Sequence, residues 1–420
     1  MRQTAFAFTF ALLASISPGD PPKESPATLA QARQAIKSEI LDRAPKGDGS
    51  KPDAPPKGVF DLVNYKSPAG DLAAYLSPDP KDDKKHPAII VCTGGFGGIG
   101  SSSWTVERYT GHFRKAGLIV MCPSWRGQQS NPGRWECFRG EIDDALAALE
   151  HLRALPYVDT SRIYITGHST GGTISLMVAE CTDKVRAAFP LGARYDAREL
   201  VQKDEIWDMP APFDVNNAEE MRIRSPINFI ATIQAPTFAF EGKSSPNDLD
   251  SPKVNALAKA AGKPFKAFSI AQADHFNIVD PINALIAAKI AGDTGRALSI
   301  AISDEEVQRA FATRRMPFTP RANLDPKTPY LRMSNAAVEE IASAMKERKH
   351  DPAKVYVRFG MDGYFSYHIS FDEEVDPRDL TIDMKQFKIL LDPLTAFLMR
   401  GTAISYSKDG GFDYENPNEN

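Results

Sequence analysis

Cysteine is scarce in this chain: its 420 residues hold four, Cys92, Cys122, Cys137 and Cys181, and none follows Cys181. No two of them form a C-x-x-C pair, and no His/carboxylate cluster has ligand spacing, so neither a structural metal nor metal-assisted hydrolysis is expected. Buried free thiols are expected for Cys92 and Cys181, with one disulfide, involving Cys137, open if the protein is exported. Long apolar runs are missing too. After the first residues no stretch approaches the roughly 18 apolar positions a membrane helix needs. The opening "MRQTAFAFTFALLASIS", residues 1–17, has the layout of a secretory signal peptide and is too short to span a bilayer. It predicts export to a periplasmic or extracellular space, with a frayed cytoplasmic N-terminus as the other reading. Basic runs are absent and the formal net charge is −4, which argues against a nucleic-acid partner.

What is present is the composition of an ordinary globular protein, 42% hydrophobic and 25% charged, at a length that predicts two or three domains. Residues 18–57 ("PGDPPKESP", "KGDGSKPDAPPKG") read as a Pro-rich disordered linker around one short helix, Leu29 to Arg43. From Phe60 the pattern changes. "FDLVNY" and "LAAYLS" flank "KSPAG" as a hairpin. Buried strands ("HPAIIVC", "LIVMCPS", "RIYITG", "VRAAFPLG", "PTFAFEG", "FKAFSI") then alternate with helices. This alternation predicts an α/β domain over 58–298, a mainly parallel sheet with helices on both faces. A helix and linker follow over 299–329, with Ser303 and Glu306 spaced as a capping box. A small α+β domain is expected over 330–420.

The stretch "ITGHSTGG" contains G-x-S-x-G: Gly167, His168, Ser169, Thr170, Gly171. It lies between a strand and a helix, the setting of a nucleophile elbow, where a strained serine needs very small residues two positions either side. Ser169 is therefore the candidate nucleophile, and it needs a base. Of seven histidines, His112 and His151 fall in predicted helices, His86 precedes a strand, and His168 should point away from the serine. His350 and His368 lie in the other domain. His275 remains, in the loop "AQADHFNIVDP" after the last strand, with Asp280 and Pro281 expected as N-cap and N1 of the final helix. The acid should lie between serine and base in the chain. The loop "EGKSSPNDLDSP" offers Glu241, Asp248 and Asp250. Asp248 is chosen, because Glu241 still belongs to the strand end and Asp250 is placed to cap the next helix; Asp196 is more remote. Oxyanion donors are expected from Thr170 N–H and from Gly95 or Phe96 in "CTGGFGGIG". That glycine loop lacks the Lys-Ser/Thr of a phosphate loop, so no nucleotide or other cofactor is expected.

"YKSPAGDLAAYLSP", "HPAIIVCTGGFGG", "PSWRGQQSNPG", the segment "GEIDDALAALEHLRALPYVDTSRIYITGHSTGG" and "ADHF", in that order, resemble the prolyl oligopeptidase and dienelactone hydrolase group of α/β-hydrolases. The resemblance implies Ser169 as nucleophile, His275 as base and an acid in the 241–250 loop. Arg126 and Glu141 match group positions and are read as holding their loop beside the sheet. Prolyl oligopeptidases carry a large β-propeller ahead of the hydrolase, whereas only residues 1–57 precede it here, so ester and short-peptide substrates both stay open. The group's Gly-x-x-Asp acid motif lands on Ser245. Further on, "LRMSNAAVEEIASAMKER", "KVYVRFGMDG", "YHISF", "ILLDPLTAFLMRGTAISY" and "GGFDYENPN" resemble a HesB-like, A-type iron–sulfur carrier domain. That family holds its cluster through cysteines, and this region has none. The domain is therefore expected to serve packing or contact with a protein partner, with His368 as a strand-face residue.

Together these features predict a serine hydrolase acting through an acyl-enzyme, the competing class being a non-catalytic scaffold that keeps a hydrolase shell. The segment from Arg198 to Asn228 is expected over the site, with Trp207 and Phe213 as an apolar wall or as packing residues.

Overall fold

The computed structural model describes residues 27–100, 104–202, 205–206, 209–271, 273–312, 327–361, 367–408 and 410–417. The expected signal peptide and Trp207 lie outside them.

Eight strands form the main sheet: β1 (Asp61–Ser67), β2 (Gly70–Leu76), β3 (His86–Cys92), β4 (Ile119–Pro123), β5 (Val158–His168), β6 (Ala188–Leu191), β7 (Thr237–Gly242) and β8 (Phe265–Ile270). Their spatial order is β1-β2-β4-β3-β5-β6-β7-β8. β1 and β2 are the expected hairpin, β2 runs antiparallel to β4, and the remaining pairings are parallel. A parallel sheet must be covered on both faces, and the strand sequences meet that demand with a period of two. Ala88, Ile90 and Cys92 face one core, which includes Ile142, Ala145 and Leu149 of the helix Gly140–Ala154. Ile89 and Val91 face the other, with Phe113 and with Ile282 and Ile286 of the helix Val279–Gly292. That helix starts two residues earlier than its Asp-Pro signal suggests. Asp280 sits inside the first turn, where its carboxylate accepts from His112 Nε2 at 2.9 Å.

Residues 27–57 correct the expectation of a disordered linker. A helix covers only Leu29–Ala35, capped by Thr28, and the chain beyond it lies extended along the hydrolase domain. Leu29, Ala32 and Ala44 are buried. Arg33 pairs with Asp143 at 2.5 Å, Trp135 N donates to Pro45 O at 2.9 Å, and Tyr75 OH donates to Asp53 O at 2.7 Å. Composition judged this segment on its own core, but it borrows one from its neighbour.

After the hydrolase sheet, the helix Asp304–Ala312 opens with the expected capping box: Glu306 N donates to Ser303 Oγ at 3.2 Å and Ser303 N to Glu306 Oε2 at 2.9 Å. Val307 and Phe311 join the second core. Residues 327–417 then build a separate α+β unit. Strands Tyr356–Met361, Tyr367–Asp372, Leu380–Asp383 and Lys388–Leu391 make one sheet, and Leu331–Met333, Thr402–Ser407 and Gly411–Glu415 another. The helix Asn335–Glu347 packs its Ile341 and Met345 with Val357, Phe359 and Ile389 into a third core.

Candidate active site

A parallel sheet collects residues distant in sequence at the carboxyl ends of its strands. Here the order β3-β5-β6-β7-β8 brings together the glycine loop after β3, Ser169 after β5, Gly192 after β6, Glu241 near the end of β7 and His275 beyond β8.

Ser169 sits between β5 and the helix Thr170–Cys181 at φ 58° and ψ −118°, a strained conformation for a residue with a side chain. Its amide donates to Leu191 O at 2.9 Å. The flanking glycines are required by space. A Cβ on Gly167 would lie 2.3 Å from the Gly171 carbonyl oxygen, and one on Gly171 would lie 2.1 Å from Cys92 O. The sequence demand for very small residues is thus a backbone-to-backbone contact. The neighbouring His168 makes bonds of its own. Its Nε2 donates to the carbonyl oxygen of His275 at 2.7 Å, while Tyr109 OH donates to its Nδ1 at 3.0 Å. Burial and the neighbouring His275 hold its pKa well below the ordinary value, which keeps this relay neutral. Burial likewise pushes the Tyr109 hydroxyl up to about 12.

His275 Nδ1 donates to Glu241 Oε2 at 3.2 Å, and their side chains are 20% and 3% exposed. The other carboxylate oxygen, Oε1, accepts from Gly242 N at 2.7 Å. Gly192 makes room for the pair: a Cβ there would lie 2.5 Å from His275 Cε1 and 3.4 Å from Glu241 Oε2. Asp248, the acid chosen from sequence, is not the partner of His275. It lies on a short turn, Pro246–Asp250, and its Oδ2 accepts from Ser269 Oγ on β8 at 2.7 Å. The strand end excluded Glu241 in sequence, yet that position next to β8 is what brings a long side chain to the histidine loop. Asp250 precedes the helix Ser251–Ala260 without a side-chain cap. Asp196 caps the turn Ala197–Leu200 and pairs with Arg198.

On the opposite side, Thr170 is the first residue of its helix, so its N–H has no partner within that helix. Its hydroxyl donates to Gly95 O at 3.0 Å, tying the glycine loop to the elbow. Phe96 follows and meets Trp135 edge-on at 5.2 Å between ring centroids. Phe276, 36% exposed, stands 5.0 Å from the His275 ring. Phe213 belongs to the packing, fully buried with the Arg224 guanidinium 3.8 Å over its ring.

Arg126 hydrogen-bonds Asp144 through Nε at 3.0 Å and Nη2 at 2.8 Å and reaches Glu136 at 2.6 Å through Nη1, pinning the loop before the helix Gly140–Ala154. All four cysteines are free, so no disulfide involves Cys137. Burial pushes the Cys122 and Cys181 thiols up to about 12 and those of Cys92 and Cys137 well above their ordinary value, which leaves none of them a nucleophile. No group of three metal-ligating side chains occurs among the described residues, nor a helix long and apolar enough to cross a membrane.

Residues 104–280 match the prolyl oligopeptidase family. Dipeptidyl-peptidase 5 of Porphyromonas gingivalis is 28% identical over 228 residues, 50% of this chain, and the chain spans only 33% of that protein. The iron–sulfur cluster insertion protein ErpA of Pseudoalteromonas atlantica is 31% identical over 93 residues, 21% of this chain and 82% of that protein. Among solved structures, the acylaminoacyl peptidase of Pyrococcus horikoshii superposes with a TM-score of 0.50 at 18% identity, covering 59% of this chain and 44% of that one. It shares the fold.

Proposed function

We propose that this chain is a serine hydrolase of the prolyl oligopeptidase group fused to a cysteine-free HesB-like domain, and that Ser169, His275 and Glu241 form its catalytic triad and cleave short-peptide or ester bonds through an acyl-enzyme. One observation carries this reading: a serine strained at φ 58° at the head of a helix, at the same edge of the sheet as a histidine whose Nδ1 donates to a buried carboxylate at 3.2 Å. The carboxylate fixes the tautomer that leaves Nε2 free to accept a proton.

In the first half-reaction Ser169 Oγ attacks the substrate carbonyl carbon while His275 Nε2 takes its proton. Negative charge forms on the carbonyl oxygen, where the Thr170 N–H and an N–H of Gly95 or Phe96 are suited to receive it. The tetrahedral adduct collapses as His275 gives the proton to the departing amine or alcohol, leaving an acyl-Ser169 ester. Water then repeats the sequence and releases the acid. The Glu241 carboxylate stabilises the imidazolium at each stage.

The test is labelling by a fluorophosphonate probe. The wild type is expected to label on Ser169, with labelling abolished in Ser169→Ala and reduced by at least about a thousandfold in His275→Ala. Glu241→Gln is expected to label far more slowly, and Asp248→Asn at close to the wild-type rate. A folded wild type that does not label would sink the triad and leave a hydrolase shell used for binding.

A further inference from the structure

The histidine loop is held from outside the hydrolase domain as well as from within. Residues 273–277 wind around Asp274. Its Oδ1 accepts from Phe276 N at 2.7 Å and Asn277 N at 2.8 Å, and its Oδ2 accepts from Asn277 Nδ2 at 2.8 Å. Arg108 donates to Phe276 O from the side of the second core. A further bond to the Asp274 carboxylate comes from the C-terminal domain: His368 Nε2 donates to Oδ2 at 2.9 Å, with side chains 8% and 9% exposed. The His368 ring also packs 5.1 Å from that of Phe276.

This contact is built into both partners. In the C-terminal sheet Gly360 pairs with His368, and a Cβ at position 360 would lie 1.7 Å from Nε2. The imidazole occupies the space a side chain there would need. Its Nδ1 is buried and has no partner among the described residues, so the ring's hydrogen bond there is the one from Nε2. Burial works to raise the pKa of Asp274. The charge of His368 and the hydrogen bonds from His368, Asn277 and Phe276 outweigh it and hold the carboxyl well below the usual range. A buried carboxylate that loses one of its donors is strongly destabilised, so the loop and the second domain are coupled.

We infer that His368 is a positioning residue for His275, and that the HesB-like domain, lacking cysteines for a cluster, acts as a clamp on the loop that carries the base. The inference rests on His275 being that base. The imidazole hangs between Glu241 at Nδ1 and His168 at its carbonyl, and Asp274 is the next residue back along the chain. Releasing Asp274 lets residues 273–277 shift, and a displacement of about 1 Å is enough to spoil proton transfer from Ser169.

The experiment uses the full chain and reads the fluorophosphonate labelling rate together with kcat and KM on a p-nitrophenyl ester. His368→Ala is expected to lower the labelling rate and kcat by about ten- to a hundredfold at little-changed KM. His368→Gln, whose amide N–H reaches the position of Nε2, is expected to restore both to within about threefold of wild type, whereas His368→Asn, too short to reach, is not. His368→Ala with Asp274→Asn is expected to be no slower than Asp274→Asn alone, because the two side chains act through one bond. A His368→Ala variant that labels Ser169 at the wild-type rate would overturn the clamp and leave the triad standing. So would a glutamine variant no faster than the asparagine one; that pair carries the test if the alanine variant does not fold. A wild type that never labels removes the triad first, and the two failures are thereby distinct.

Discussion

Gly192 occupies a backbone position at φ +64°, and the His275 ring and the Glu241 carboxylate fill the space a Cβ there would need. Gly192→Ala therefore adds two effects: roughly 1 kcal/mol of backbone strain, and a methyl group where the imidazole lies. Ester turnover is expected to fall by about a hundredfold while the thermal midpoint drops only slightly, a contrast that separates displacement of the base from general unfolding. This position was illegible in the sequence. A glycine after a buried strand reads as a loop signal, and only the spatial order β6-β7-β8 puts the histidine over it. As proposed triad members, Ser169 and His275 were nominated for local reasons, the glycine spacing of the elbow and the lack of another histidine in a suitable loop. Glu241 was not, because whether a strand-end carboxylate reaches the base depends on which strand lies beside it.

Among the elements, the loop over 124–139 and the helix Gly140–Ala154 that follows it are joined by buried charge. Glu141 is 2% exposed, and its Oε1 accepts from Glu136 N at 2.7 Å. Burial pushes its carboxyl up to about 7. The folded state thus holds a proton that the unfolded chain releases above its ordinary value of 4.5, so this group's stabilising contribution is present below about pH 4.5 and lost as pH rises through about 7. Glu141→Gln keeps the acceptor and removes the titration. The unfolding free energy of wild type relative to that variant is expected to fall by roughly 3 kcal/mol from about pH 4 to about pH 8, measured by denaturant melts. A flat difference would place the carboxylate in a better-solvated site. Sequence periodicity found the sheet strands and their alternation with helices because each buries its own apolar face. It misread residues 27–57, whose ordering depends on hydrogen bonds to loops far along the chain, such as Gly49 N to Gln129 O at 3.1 Å.

For the molecule as a whole, the cores divide cleanly, two on the faces of the large sheet and one in the C-terminal domain. All four thiols are free, with three fully buried and Cys181 partly so. A thiol-reactive chromophore is expected to titrate none of them rapidly in the native protein and all four in denaturant, and a count of two would require a disulfide. The domain order was legible from the change in pattern near Tyr330. The contact between the domains was not, since His368 carries no mark in sequence that distinguishes it from any strand residue. Its placement has a consequence for synthesis. The ribosome makes the proposed nucleophile first, then the proposed acid, then the proposed base, and the residue inferred to steady that base emerges after them. A nascent chain whose large sheet has already folded would hold a slack imidazole, and full turnover would begin only after the C-terminal sheet had left the exit tunnel and docked.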